Sequence, residues 1–124
     1  MAETRNHGMP RYLISFDDGA MDFIPEDEGP AVAEAAHAVI REAQGAGVWV
    51  FAGGVYPHGE VSPRVVAPDG TVTDGAKSKA YIAGVTIIDV PSLEEALQWA
   101  AKIAAACRCA QEVREFGPDP AVGN

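Results

Sequence analysis

The chain has 124 residues, 48% of them apolar, and carries 9 basic and 18 acidic side chains for a net charge of −9. That length fits one domain able to bury a core without disulfides, and the apolar share excludes a disordered chain. So acidic a surface repels phosphate backbones and anionic lipid, which argues against nucleic acid and membranes as partners.

Residues 1–10 hold no apolar run and read as a flexible leader, with Met9-Pro10-Arg11-Tyr12 as the start of the folded unit. No stretch approaches the roughly 18 apolar residues of a membrane helix, and no secretory signal is visible. Tyr12 to Phe16 is the first strand, with Tyr12, Ile14 and Phe16 on one face and Leu13 and Ser15 on the other. Asp17-Asp18-Gly19 ends it, and the acidic stretch 20–28, which contains Pro25, reads as a loop. A helix follows from Pro30 to Ala43. Its apolar stripe is Val32, Ala35, Ala36, Val39, Ile40 and Ala43, with Pro30 in the first turn and Gly45 and Gly47 as the stop. Val48 to Ala52 is a second strand, which Gly53-Gly54 is expected to weaken or bend. Tyr56-Pro57-His58-Gly59 is a loop.

Arg64 to Ala67 and Val72 to Gly75 are short extended pieces around a tight turn at 68–71, where Asp69 and Gly70 supply the turn chemistry. Tyr81 to Val90 is apolar on both faces over much of its length and should be a central strand. Ser92 and Glu95 form a capping-box signature for a second helix that ends near Ala106. Leu93, Ala96, Leu97, Ala100 and Ala104 are its expected buried stripe. Cys109 to Phe116 is the last strand, with Val113 on one side and Glu112 and Arg114 on the other. Residues 118–124 read as a disordered tail.

This order gives an α+β domain over residues 11–117: a ferredoxin-like βαββαβ pattern with an extra hairpin, its antiparallel sheet carrying two helices on one face. The other face then needs a cover, and a second copy of the chain is the expected one, as a homodimer. Cys107 and Cys109 are one residue apart and cannot build a cross-linked framework. They read as reduced thiols of a cytoplasmic protein. With no further ligand cluster in the sequence, neither a metal nor an organic cofactor is expected.

The stretch Arg64-Val65-Val66-Ala67-Pro68-Asp69-Gly70-Thr71-Val72-Thr73-Asp74-Gly75, followed by Ala76-Lys77-Ser78-Lys79-Ala80-Tyr81-Ile82-Ala83-Gly84, resembles the YCII-related superfamily in its DGPF branch. Leu93 to Ala100 and Gln111 to Arg114 are similar to the end of that domain. The resemblance covers most of residues 11–116. It implies a dimeric α+β barrel-type assembly and a small-molecule lyase or isomerase moving a proton on a small organic acid. The chain departs from the pattern where the Pro-Phe of the signature is missing between Gly75 and Ala76. Lys77 and Ala80 also stand where the branch has acids, which inverts the local charge, so a site built from those acids does not carry over. The wider group suggests a His–Asp pair with its His on the first helix. His37 lies one residue from that position, toward the polar side of the helix, and the role is not transferred to it.

The candidate site residues follow from chemistry as well as resemblance. His58, in a loop after a strand end, is either a solvated histidine or a proton-transfer group. Asp74 either serves its own turn or acts as a base or as the orienter of one. Lys79 is an exposed cation or an anchor for a substrate carboxylate, and Arg114 forms ion pairs with Glu112 at the rim of the dimer or anchors such a carboxylate. Tyr81 packs or lines a pocket. The alternative to an enzyme is a non-catalytic ligand-binding or accessory homodimeric module.

Overall fold

The computed structural model describes residues 9–77 and 79–123. The expected leader lies mostly outside these residues, as does Ser78 of the family-like block. Among the described residues six strands and two long helices follow one another as β1 (Arg11–Asp17), α1 (Gly29–Gly45), β2 (Trp49–Gly54), β3 (Arg64–Val66), β4 (Val72–Asp74), β5 (Ile82–Asp89), α2 (Leu93–Cys107) and β6 (Glu112–Glu115). Short 3-10 turns occupy Glu26–Glu28 and Pro120–Val122, the latter within the segment expected to be a disordered tail.

The fold is α+β, with a four-stranded antiparallel sheet in the order β2-β5-β1-β6 and a separate two-stranded sheet, β3-β4. The doubly apolar segment is central, as its composition requires: β5 lies between β2 and β1. Alternation along β1 sends Tyr12 and Ile14 into the core, where they meet Ile88, Val90, Ala96 and Ala100, all of them buried. Val48, Trp99, Ile103 and Val113 pack around this cluster. The pairing of Ile14 with Val113 puts β6's apolar residue on the same face, and Glu112 and Arg114 on the opposite one.

Helix α2 starts as its sequence dictates: Ser92 is extended, and its hydroxyl accepts from the Glu95 N–H at 3.2 Å. Its buried stripe differs from the expected one. Ala96, Ala100 and Cys107 are buried and Trp99 and Ile103 join the core, while Leu93 and Leu97 are about half exposed. The alanines let the helix sit close to the sheet, and the bulkier Trp99 and Ile103 fill the adjoining row. The leucines are left on the outer shoulder. Helix α1 has only Val32 and Ala43 buried, and its main neighbour is α2.

The irregularity in β2 lies between Trp49 and Phe51, not at the glycine pair; Gly53 and Gly54 continue the ladder opposite Val85 and Gly84. Gly84 has a packing reason of its own. A Cβ there would collide with the Phe16 ring, so the glycine lets Phe16 lie across β5.

Candidate functional site

In this sheet β1 and β2 run parallel to each other, each antiparallel to β5 between them. The C-terminal ends of β1 and β2 therefore meet the N-terminal end of β5 at one end of the sheet. Three groups converge there: Asp18 just after β1, His58 in the loop beyond β2, and Tyr81 just before β5. The ladder slips between Phe16 and Asp17, and the Asp18 N–H donates to the Tyr81 carbonyl at 2.8 Å, which fixes the start of the turn. On the neighbouring strand, the Val55 N–H donates to the Ala83 carbonyl at 2.7 Å and anchors the loop that leads to His58.

One carboxylate oxygen, Asp18 Oδ2, holds His58 at two points. It accepts from the His58 backbone N–H at 2.9 Å and lies 2.6 Å from His58 Nδ1. The Asp18 side chain is 12% exposed and that of His58 36%, so the carboxylate is sheltered while the imidazole reaches solvent. The hydrogen bond from the His58 side chain, followed by that from its backbone, holds the Asp18 carboxyl below its ordinary pKa. An ionised carboxylate only accepts, so a neutral His58 carries its proton on Nδ1 and keeps a lone pair on Nε2. The His58 ring stands 5.0 Å from the Tyr81 ring, and the Lys79 ammonium lies 5.2 Å from the Tyr81 centroid. Tyr81 is locked in turn: its hydroxyl donates to the Ala76 carbonyl at 2.9 Å and passes over Gly75, where a Cβ would not fit.

Of the residues singled out in the sequence, His58, Tyr81 and Lys79 come together. Asp74 does not join them. It ends β4 on the exposed hairpin, 3.5 Å from Arg64, and no hydrogen bond or ion pair links it to His58. At the 68–71 turn Asp69 acts as expected: its Oδ1 accepts from the Thr71 N–H at 2.9 Å. Arg114 lies on the far edge strand opposite Leu13, away from β2 and its loop. His37 is exposed on α1. Sequence reasoning missed Asp18, which read only as a strand end. The signal that finds it is topological: once β1 and β2 both flank β5, the residues just past their ends become neighbours.

A cleft of about 380 Å³ adjoins the pair, bordered by Phe16, Asp18, Met21, Val55, Pro57 and His58. That volume suits a small metabolite. Asp17 and Asp22 also border it, whereas Tyr81 and Lys79 are not part of its lining. Among the described residues no three His, Cys, Asp or Glu converge as a metal cluster, and no helix is long and apolar enough to cross a membrane. Cys107 and Cys109 are unbridged, and burial raises both thiol pKa values, so neither is an activated nucleophile near neutral pH.

The lowered Asp18 pKa has a consequence for stability. The folded state favours the ionised form, so this contribution is complete above the ordinary aspartate pKa of about 3.9 and is lost as pH falls through the lower folded value. Urea unfolding of wild type and Asp18→Asn across pH 2–7 is expected to show a gap that closes only in that acidic window. A gap unchanged down to the lowest pH would contradict the assignment.

No protein-family model matches the chain, and no curated protein shows significant similarity to it.

Proposed function

We propose that the chain is a small enzyme of the YCII-related, DGPF-like kind that moves a proton on a small organic acid, with His58 as the base and Asp18 as its orienter. The observation that carries this reading is the 2.6 Å contact between His58 Nδ1 and Asp18 Oδ2 beside an open cleft. A carboxylate behind Nδ1 fixes the ring and stabilises the imidazolium formed when Nε2 takes a proton. Lys79 shares the Tyr81 ring with His58 and is the group we assign to the substrate carboxylate. The chemistry is acid–base throughout, so no metal or organic cofactor is invoked. The unbridged cysteines are in keeping with a cytoplasmic protein.

The direct test is proton exchange. The protein is incubated in D2O with a panel of 2-oxo and 3-oxo acids, and loss of the C–H signals is followed by proton NMR. Exchange above the buffer rate for at least one acid is expected. Saturable binding of an acid without exchange would instead support the non-catalytic module.

The strand order β2-β5-β1-β6, with one helix after β1 and one after β5, supports a ferredoxin-like βαββαβ domain with β3-β4 as the added hairpin. Both helices lie over the Tyr12–Ile14 face. The opposite face presents Leu13, Val85 and Ile87, with Phe51 about half exposed beside them. We assign this surface to a homodimer of the dimeric α+β barrel type. Light scattering at micromolar concentration is expected to give twice the chain mass for wild type and the chain mass for Phe51→Glu. A monomeric wild type would refute the assembly.

A further inference from the structure

The cleft beside His58 carries a charge that selects its ligand. Resting on the proton-transfer reading of this same site, we propose that the substrate bears a protonated amine as well as a carboxylate, the two at separate ends. The chain then acts on amino-substituted oxo acids rather than on simple ones.

Three carboxylates, those of Asp17, Asp18 and Asp22, border the cleft of about 380 Å³. Asp18 is engaged by His58. The side chains of Asp17 and Asp22 form no hydrogen bond or ion pair with another described residue. No lysine or arginine belongs to the lining, and Phe16, Val55 and Pro57 add apolar wall. A cleft lined by one sign of charge over low-dielectric walls focuses its field and concentrates the opposite charge. A simple oxo acid carries only negative charge, so it meets like charge on its way to His58. An ammonium group on the same molecule reverses that balance.

The positive counterpart is a different group in a different place. Lys79 lies 5.2 Å from the Tyr81 ring centroid, outside the cleft lining, while the Tyr81 ring stands 5.0 Å from that of His58. A ligand complementary to both the acidic wall and Lys79 must therefore hold its own charges apart. The amine also assists the chemistry. An ammonium group withdraws electrons from its neighbour, so a carbon between a ketone and an ammonium group loses a proton more readily than one beside a ketone alone. That proton passes to His58 Nε2, and the C–H electron pair moves into the carbonyl as an enolate. Return of a proton to the carbon closes the cycle, with nothing oxidised or reduced.

Levulinate and 5-aminolevulinate form a matched pair of oxo acids that differ by one ammonium group. Each is titrated into the full chain at neutral pH while the His58 ring signals are followed by NMR. The amino acid of the pair is expected to bind about tenfold more tightly, the scale of two partly exposed charge contacts. This preference should shrink at high salt. It should fall to within about twofold in the double variant Asp17→Asn, Asp22→Asn, whose exposed positions let the fold persist. Equal affinities, tighter binding of levulinate, or no saturable binding of 5-aminolevulinate would overturn the proposal. Proton exchange in D2O separates it from the reading it rests on. Tighter binding of 5-aminolevulinate without loss of its C–H signals would support the charge preference and defeat His58 as the base. Exchange on levulinate with no preference for the amine would do the reverse.

Discussion

Replacing Arg11 with alanine is expected to destabilise the fold by about 3 kcal/mol, the lower end of the range for removing one partner of a buried ion pair. Arg11 grips Asp89 with two nitrogens: Nε lies 2.6 Å from Oδ1, and Nη2 lies 2.8 Å from Oδ2. The two residues pair directly across the central strands β1 and β5. The Asp89 side chain is 2% exposed, so the variant leaves a carboxylate in the interior without its bidentate partner. Its backbone N–H also donates to the Val48 carbonyl at 2.8 Å, so Asp89 cannot move to water without disturbing the entry to β2. The loss should appear as a fall in Tm on the order of 10 °C. Arg11→Lys recovers only part of it, because an ammonium cannot match both oxygens. The double variant Arg11→Met, Asp89→Leu is expected to be more stable than Arg11→Ala, since no charge remains buried. Equal unfolding midpoints for wild type and Arg11→Ala would show that the pair contributes nothing.

Loss of His58 is expected to reduce proton exchange on the responsive oxo acid by about 10²- to 10⁴-fold, the usual contribution of a positioned general base. His58→Ala should do so without unfolding the protein, because the imidazole is partly exposed and belongs to no core cluster. Asp74→Asn and Arg114→Ala are controls at positions the fold separates from the pair, and are expected to leave the rate within about twofold, the scale of a surface substitution's effect. Lys79→Ala is expected to raise KM more than it lowers kcat, since it removes a binding contact rather than the base. Exchange that persists in His58→Ala would move the chemistry elsewhere.

The local elements were legible because local chemistry fixes them. The turn at Asp69-Gly70, the Ser92 cap and the doubly apolar β5 each have one physical solution, and each appears where the residues demand it. The face of α2 was less legible. A stripe of Leu93, Ala96, Leu97 and Ala100 and a stripe of Ala96, Trp99, Ala100 and Ile103 are both apolar at helical spacing, and only packing against the sheet chooses between them. The candidate site was half legible. His58 announces itself by its type and loop, but its partner Asp18 is one of a run of acids after β1 and lies far off in sequence. Strand order alone makes them neighbours. The resemblance drew attention to Asp74 and Lys79 equally, yet Lys79 is carried toward His58 by Tyr81, while Asp74 remains on the hairpin.

Whether Asp18 prepares His58 as a base is tested most directly by the protonation pattern of the His58 ring, read from long-range proton–nitrogen NMR spectra of wild type, with His58→Ala assigning its signals among the three histidines. Neutral His58 is expected to hold its proton on Nδ1, facing Asp18, and to leave Nε2 bare. Asp18→Asn is expected to shift the ring toward the other tautomer. A neutral ring protonated on Nε2 in wild type, or a pattern untouched by Asp18→Asn, would contradict the claim that Asp18 prepares His58 as a base.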